Sequence, residues 1–167
     1  GDLIFSKYYP VGTSSPIRAV FSGGTTPGNT ETMSFVSFAS LGNAVNFGEL
    51  SSGGGTFSGS SASDGVRGVL AGVYNPSATY LSTIEYLTIA SEGNTTHFGN
   101  LTVGRSASGS SGGTRGIFAG GSTGSVTNII DFIQIATTGN AEDFGDTGDT
   151  LSGMASASDA HGGLGGF

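Results

Sequence analysis

Apolar and polar residues alternate along several short segments of the chain. Residues 84–89 (Ile-Glu-Tyr-Leu-Thr-Ile) and residues 129–135 (Ile-Ile-Asp-Phe-Ile-Gln-Ile) show the pattern most clearly. A period of two is typical of a β-strand with one buried face. No segment has the 3.6-residue period of an amphipathic helix. The pattern therefore predicts an all-β protein.

The strand-like segments recur in the same order three times. Arg18, Arg67 and Arg115 lie 49 and 48 residues apart, and each precedes a short apolar run. The Phe-Gly pairs that begin at Phe47, Phe98 and Phe144 lie 51 and 46 residues apart. A fixed period near 48 residues indicates a repeat architecture. We place the repeats at residues 17–65, 66–114 and 115–160.

The two ends of the chain carry parts of the same repeat. Gly1-Asp2-Leu3 matches the Gly48-Glu49-Leu50 that ends a repeat, so residues 1–16 are predicted to hold the end of a preceding unit and the first strand of the next. Residues 161–167 match the opening of a repeat, with His161 at the arginine position. We therefore expect about three and a half units.

Each repeat is predicted to form four short strands. Gly-Asn pairs at residues 42–43, 93–94 and 139–140 follow strand-like runs and are suited to turns with positive φ. Small residues fill the stretches 58–63, 106–111 and 155–158, at the same place in each repeat. We interpret each stretch as a strand pressed against a neighbour, where only Gly, Ala and Ser fit.

Composition agrees with a protein of many tight turns. The 167 residues include 32 glycines and only four prolines, without the three-residue period of collagen. Compact apolar runs argue against disorder. The glycines therefore mark strand ends.

Charge and cysteine content exclude several classes of function. The net charge is −7 with five Lys and Arg, so we expect no nucleic-acid partner and no binding to anionic membranes. Zero cysteine excludes disulfides and thiolate chemistry. No apolar run reaches membrane-spanning length, so no membrane insertion is expected.

The repeat resembles a kelch blade. The resemblance rests on the double glycines Gly23-Gly24 and Gly120-Gly121 and on the aromatic residues of the next strand, namely Phe35, Tyr86 and Phe132. Phe47, Phe98 and Phe144 stand where kelch blades usually have Trp. The resemblance implies four-stranded blades of about 48 residues in a β-propeller, in part of one, or in one completed by neighbouring chains.

The whole chain also resembles repeat arrays in structural proteins of marine and cyanobacterial tailed phages. This resemblance implies a non-enzymatic protein of a virion fibre, tail, appendage or surface decoration. Its expected partners are other copies of itself, other virion proteins and host-surface glycan. The alternatives are a secreted filament or matrix protein of a cell and a carbohydrate-active or lectin-like propeller.

Three sets of residues are candidates for a role. Arg18, Arg67 and Arg115 are expected to bind loop carbonyls or a carboxylate of a neighbouring blade, with a ring of ligand donors as the alternative. Exposed aromatic residues bind sugars or protein partners by stacking, and the candidates outside the repeated positions are Tyr8, Tyr9, Tyr74 and Tyr80. Neither His97 nor His161 has the spacing of a zinc or copper site.

The densest acidic cluster is Asp143, Asp146 and Asp149. Carboxylate oxygens in a glycine-rich loop suit Ca²⁺, although no EF-hand or nonapeptide pattern is present. We expect solvated turn acids, with a Ca²⁺ site as the alternative, and no other cofactor.

Overall fold

The structure, a computed structural model, describes residues 1–53, 60–75 and 79–155. The predicted strand residues 58–59 and 156–158, and the partial repeat at 161–167, lie outside the described residues. Within the described part no helix is long and apolar enough to cross a membrane. The strands are β1 Val11–Ser14, β2 Arg18–Ser22, β3 Thr25–Thr26, β4 Gly28–Asn29, β5 Thr32–Ser37, β6 Val45–Glu49, β7 Ser61–Ser63, β8 Arg67–Ala71, β9 Thr83–Thr88, β10 Thr96–Asn100, β11 Ser106–Ser111, β12 Arg115–Ser122, β13 Thr127–Gln134 and β14 Glu142–Leu151.

The protein is all-β, as the alternation predicts, and contains three four-stranded antiparallel sheets. Sheet 1 has the order β1-β2-β5-β6, sheet 2 the order β7-β8-β9-β10, and sheet 3 the order β11-β12-β13-β14. Within each sheet, every strand after the first pairs with the strand before it, except that β5 pairs with β2 because the small pair β3-β4 is inserted between them. The sheets begin with the strand before the arginine strand, so they are offset by one strand from the repeats counted in the sequence.

Sheet 2 is buried on both faces. In β8, Val69 packs with the cluster shared with sheet 3, while the next residue, Leu70, packs with the cluster shared with sheet 1. In β9, Ile84 faces sheet 3 and Leu87 faces sheet 1. Alternate residues of a strand point to opposite faces. The two faces of sheet 2 therefore contribute side chains to two different hydrophobic cores, one shared with sheet 1 and the other shared with sheet 3.

The first strands of the sheets pack closely against one another. Ser61 Oγ and Ser63 Oγ of β7 donate hydrogen bonds to the carbonyls of Gly12 and Ser14 in β1, at 2.7 and 3.0 Å. A Cβ on Gly109 of β11 would lie 2.6 Å from the backbone nitrogen of Ser61. The prediction of a crowded strand of small residues is confirmed for residues 61–63 and 106–111.

The repeated phenylalanines lie at β-bulges in the last strand of each sheet. The pairing register shifts at Phe47, Phe98 and Phe144, each of which is skipped by the neighbouring strand. A bulge bends its strand and redirects a side chain. Each phenylalanine ring consequently meets the aromatic ring of the preceding strand edge-on, with centroids 5.9 to 6.0 Å apart.

Candidate functional site at the joints between sheets

Consecutive sheets are connected by the same set of polar contacts, which we call a joint. Joint 1 lies between sheets 1 and 2, and joint 2 lies between sheets 2 and 3. The residues that form a joint occupy repeat-equivalent positions. The joints are the candidate functional site, because most of the repeated polar positions meet there.

The repeated arginine of one sheet binds backbone carbonyls of the next sheet. Arg18 Nη1 donates to the carbonyls of Ile89 and Ala90 at 3.4 and 3.2 Å, and Arg67 Nη1 donates to those of Ile135 and Ala136 at 3.1 and 2.8 Å. These carbonyls lie directly after the last residues of β9 and β13. A charged donor gives a stronger hydrogen bond than a neutral one.

An aromatic ring holds each arginine in place. The guanidinium carbon of Arg18 lies 4.2 Å from the ring centroid of Phe35, and that of Arg67 lies 4.8 Å from the ring of Tyr86. Arg115 lies 5.2 Å from the ring of Phe132 in the same way. The cation–π contact orients the guanidinium toward the neighbouring sheet.

The strand that contains the bulge binds the Gly-Asn turn of the next sheet. In joint 1, Gly93 N donates to the Phe47 carbonyl at 2.7 Å, and Glu49 N donates to Asn94 Oδ1 at 3.0 Å. In joint 2, Gly139 N donates to the Phe98 carbonyl at 2.9 Å, and Asn100 N donates to Asn140 Oδ1 at 3.1 Å. The asparagine of the repeated Gly-Asn pair therefore joins two sheets in addition to standing in a turn.

A buried acid in the third strand completes each joint. Glu85 accepts hydrogen bonds from Ser51 Oγ of sheet 1 and from Thr95 Oγ1, at 2.8 and 2.7 Å. Asp131, at the equivalent position, accepts from the backbone nitrogen and the hydroxyl of Thr102, at 3.0 and 2.6 Å. Sequence analysis missed both acids, although each lies in an alternating strand where an apolar residue is expected.

Asp131 also forms a fully buried ion pair. Arg105 Nη1 lies 2.8 Å from Asp131 Oδ2, and both side chains are 0% exposed. Arg105 further donates to the carbonyls of Gly120 and Phe118, at 3.0 and 2.9 Å. A buried charge is tolerated when it is paired and its remaining donors are satisfied. The one arginine outside the repeated position therefore fixes the inner part of sheet 3.

The N-terminal residues contact sheet 1 as a neighbouring sheet would. Asp2 N donates to Asn43 Oδ1 at 2.9 Å, and Ala44 N donates to the Asp2 carbonyl at 2.8 Å. Glu49 and Asn100 make the same pair of contacts with the turns of sheets 2 and 3. Residues 1–2 thus occupy, on the turn of sheet 1, the position that a preceding unit occupies in a joint.

The groups that form joints are exposed at the two outer sheets. Arg115 is exposed, and within the described residues its guanidinium contacts no carbonyl of a further sheet. Phe144 is 53% exposed, whereas Phe47 and Phe98 are 2% and 3% exposed. At the other end Phe38 is 59% exposed, whereas its equivalent in sheet 2, Ile89, is fully buried.

The four candidate tyrosines lie on connections that precede or follow strands. Tyr8 and Tyr9 are 73% and 71% exposed, and Tyr8 pairs with Thr25 through its backbone. The rings of Tyr74 and Tyr80 lie 4.9 Å apart between β8 and β9. The structure thus brings the rings of Tyr74 and Tyr80 together, whereas Tyr8 and Tyr9 are neighbours in the sequence.

The acidic cluster lies on a strand and not in the loop that sequence analysis assumed. Asp143, Asp146 and Asp149 belong to β14, and Asp143 Oδ1 accepts a hydrogen bond from Gly145 N. The pairing of β14 with β13 shifts register at Phe144 and again between Asp146 and Leu151, so Asp149 lies in an irregular part of the strand. In the described part of the chain, no three His, Cys, Asp or Glu side chains are grouped as ligands of one metal ion.

Each sheet also has a shallow cleft beside its turn. The three clefts have volumes of about 130, 210 and 260 Å³. Each is lined by the aromatic residue of the third strand and by the Gly-Asn pair, which are Phe35 with Gly42 and Asn43, Tyr86 with Gly93 and Asn94, and Phe132 with Gly139 and Asn140.

Neither a scan against protein-family models nor a search of curated proteins finds a match to this chain.

Proposed function

We propose that this chain is a non-enzymatic structural repeat protein of a virion fibre, appendage or surface decoration. Its units are kelch-like blades, arranged as a propeller or as part of one that neighbouring chains complete. Its function is to assemble units side by side through contacts between sheet edges and between buried side chains.

One observation carries this proposal: the repeated polar residues are used for joints. The arginine, the Gly-Asn pair and the bulge make equivalent contacts in joints 1 and 2. A position that serves every unit alike is typical of repeat architecture. Each unit buries its apolar face only against a neighbouring unit, so a sequence of this kind is suited to association between units.

The exposed joint groups further support a protein that works in an assembly. Phe144 and Arg115 at one end, and Phe38 at the other, are equivalents of residues that joints 1 and 2 bury or bind. These apolar side chains expose surface that a further unit would cover, as joints 1 and 2 cover it for their equivalents. Tyr8 and Tyr9 add exposed aromatic surface through which such a protein would contact a host.

Labelling of native particles tests the proposal. Antibodies raised against the purified chain would be applied to virions and cells of the source, and gold-labelled secondary antibody would be located by electron microscopy. Label along a fibre, tail or virion surface supports the proposal. Label on a cell-surface filament supports the alternative of a cellular matrix protein, and label confined to the cell interior contradicts both.

A lectin-like protein is the second candidate, favoured by the three equivalent clefts. Each combines an aromatic ring with polar turn residues, a composition that suits a sugar ring. A glycan array probed with the wild-type chain tests this candidate. Binding that Tyr86→Ala reduces and Tyr8→Ala leaves unchanged would support the clefts, and the reverse would support the exposed tyrosines. A silent array would remove glycan binding.

A further inference from the structure

The outer sheets carry two surfaces that correspond to the two sides of a joint. We define the donor face as Arg115, Phe144, Gly145 and Asp146 of sheet 3. We define the acceptor face as the turn of sheet 1 from Phe38 to Asn43. In joints 1 and 2 the equivalents of the donor face bind the equivalents of the acceptor face.

The exposure of both faces differs sharply from that of their equivalents. Phe144 is 53% exposed on the donor face, against 3% for Phe98 in joint 2. Phe38 is 59% exposed on the acceptor face, against 0% for Ile135 in joint 2. Burying apolar surface of this kind is favourable at roughly 25 cal/mol per Å². Both faces would therefore gain from contact.

We propose that the donor face of one copy binds the acceptor face of a second copy, head to tail. Arg115 would donate to the carbonyls of Phe38 and Ala39, as Arg67 donates to those of Ile135 and Ala136. A second copy is the occupant because its acceptor face repeats the turn that joints 1 and 2 already bind. A heterologous contact of this type yields a closed ring or an open filament.

The proposed contact replaces a contact within the chain. Asp2 binds the backbone nitrogen of Ala44 and the side chain of Asn43, which is the position that Asp146 of the second copy would take. Residues 1–3 must leave this position before the partner can bind. Because of this competition, the apparent association constant equals the intrinsic constant multiplied by the fraction of molecules in which the position is free.

The inference rests on the proposed function, assembly from repeated units, and makes it specific to one pair of faces. Leu41 gives a sensitive test because its equivalent in sheet 2, Glu92, lies 3.8 Å from Arg18 across joint 1. Leu41 is fully exposed, so Leu41→Glu supplies this acid without disturbing the core. Val126→Glu, which adds the same charge at a position that is 46% exposed outside both faces, is the matched control.

Sedimentation velocity across a concentration range measures the association of the full chain. We expect wild-type self-association that Arg115→Ala weakens at least about tenfold, because charged hydrogen bonds are lost. Leu41→Glu should tighten it about two- to fivefold, and this gain should vanish when Arg115→Ala is added. Val126→Glu should leave the strength of self-association unchanged. Deletion of residues 1–3 should tighten association, because the position on Asn43 becomes free.

Two results would overturn the inference. The first is association that neither Arg115→Ala nor Leu41→Glu alters, which would place the contact elsewhere while leaving an assembly role intact. The second is a chain that remains monomeric at millimolar concentration even as Leu41→Glu and without residues 1–3. Unchanged thermal unfolding of Arg115→Ala at low concentration would show that this variant is folded. The proposed function fails separately, in the labelling of native particles.

Discussion

Arg67 of sheet 2 donates a hydrogen bond of 2.8 Å to the carbonyl of Ala136 in sheet 3. The same guanidinium lies over the ring of Tyr86 in its own sheet and reaches a second carbonyl, that of Ile135. One side chain thus connects the aromatic cluster of one sheet to the strand end of the next. The equivalent side chain, Arg115, keeps the aromatic contact and has no such acceptor among the described residues.

This difference gives a matched pair of variants. Arg67→Ala should lower the free energy of unfolding by about 1–3 kcal/mol, because it removes charged hydrogen bonds to two carbonyls. Arg115→Ala loses the contact with Phe132 and should change the free energy of unfolding by less than about 1 kcal/mol. Urea denaturation at low protein concentration measures both. If both variants lost the same free energy of unfolding, the arginine contacts across the joint would not contribute to stability.

A second pair of variants tests the close packing of the first strands. Gly109→Ala should destabilise the protein by about 1–3 kcal/mol, because the added Cβ would overlap the backbone of Ser61. Gly112→Ala meets open space and should stay within about 0.5 kcal/mol of wild type. Thermal unfolding monitored by circular dichroism distinguishes them. A tolerated Gly109→Ala would show that the first strands are not in contact.

The two buried acids should respond differently to neutral replacement. Asp131→Asn leaves Arg105 buried without a counter-charge and should cost about 3–5 kcal/mol. Glu85→Gln keeps one acceptor oxygen, loses one of the two bonds from hydroxyl groups and leaves no cation unpaired, so it should cost about 1 kcal/mol. Chemical denaturation provides the comparison. If Glu85→Gln proved the more damaging variant, the ion pair would not stabilise sheet 3 as described.

Lys7 gives the chain a pH dependence of known sign. Burial lowers the pKa of Lys7 below its ordinary value of 10.5, and its Nζ donates to the Thr32 carbonyl. The unfolded chain therefore binds the proton more tightly than the folded chain, so the unfolding free energy rises with pH up to about 10.5. Lys7→Met should lack this contribution, and urea denaturation at a series of alkaline pH values compares the two. Identical pH dependence in wild type and variant would contradict it.

The four strands of each sheet could be predicted from the sequence because they depend on local patterns, whereas the additional pair β3-β4 was not predicted. Alternation identifies β9, and the pair Gly23-Gly24 follows the end of β2, whereas the pair Gly120-Gly121 lies inside β12, one residue before its last residue, Ser122. The small-residue stretches at 61–63 and 106–111 were also predicted correctly as strands pressed against a neighbour. Each of these signals is repeated, so a weak pattern in one repeat is supported by the others.

The joints could not be predicted in the same way, because they connect residues 29 to 72 positions apart. Nothing near Arg67 indicates that its partner is the carbonyl of Ala136, since a backbone acceptor leaves no signature in side-chain composition. Glu85 and Asp131 were missed for a related reason. Their partners, Ser51 and Thr102, are common turn residues, and only the fold brings each hydroxyl to its acid.

The measurement that tests the central claim most directly is cryo-electron microscopy of the native assembly. The account predicts that the chain occurs as blades joined side by side, and that Arg115 contacts strand-end carbonyls of a neighbouring unit, as Arg18 and Arg67 do within the chain. A map in which the chain stands alone, with Arg115 and Phe144 facing solvent, would contradict it.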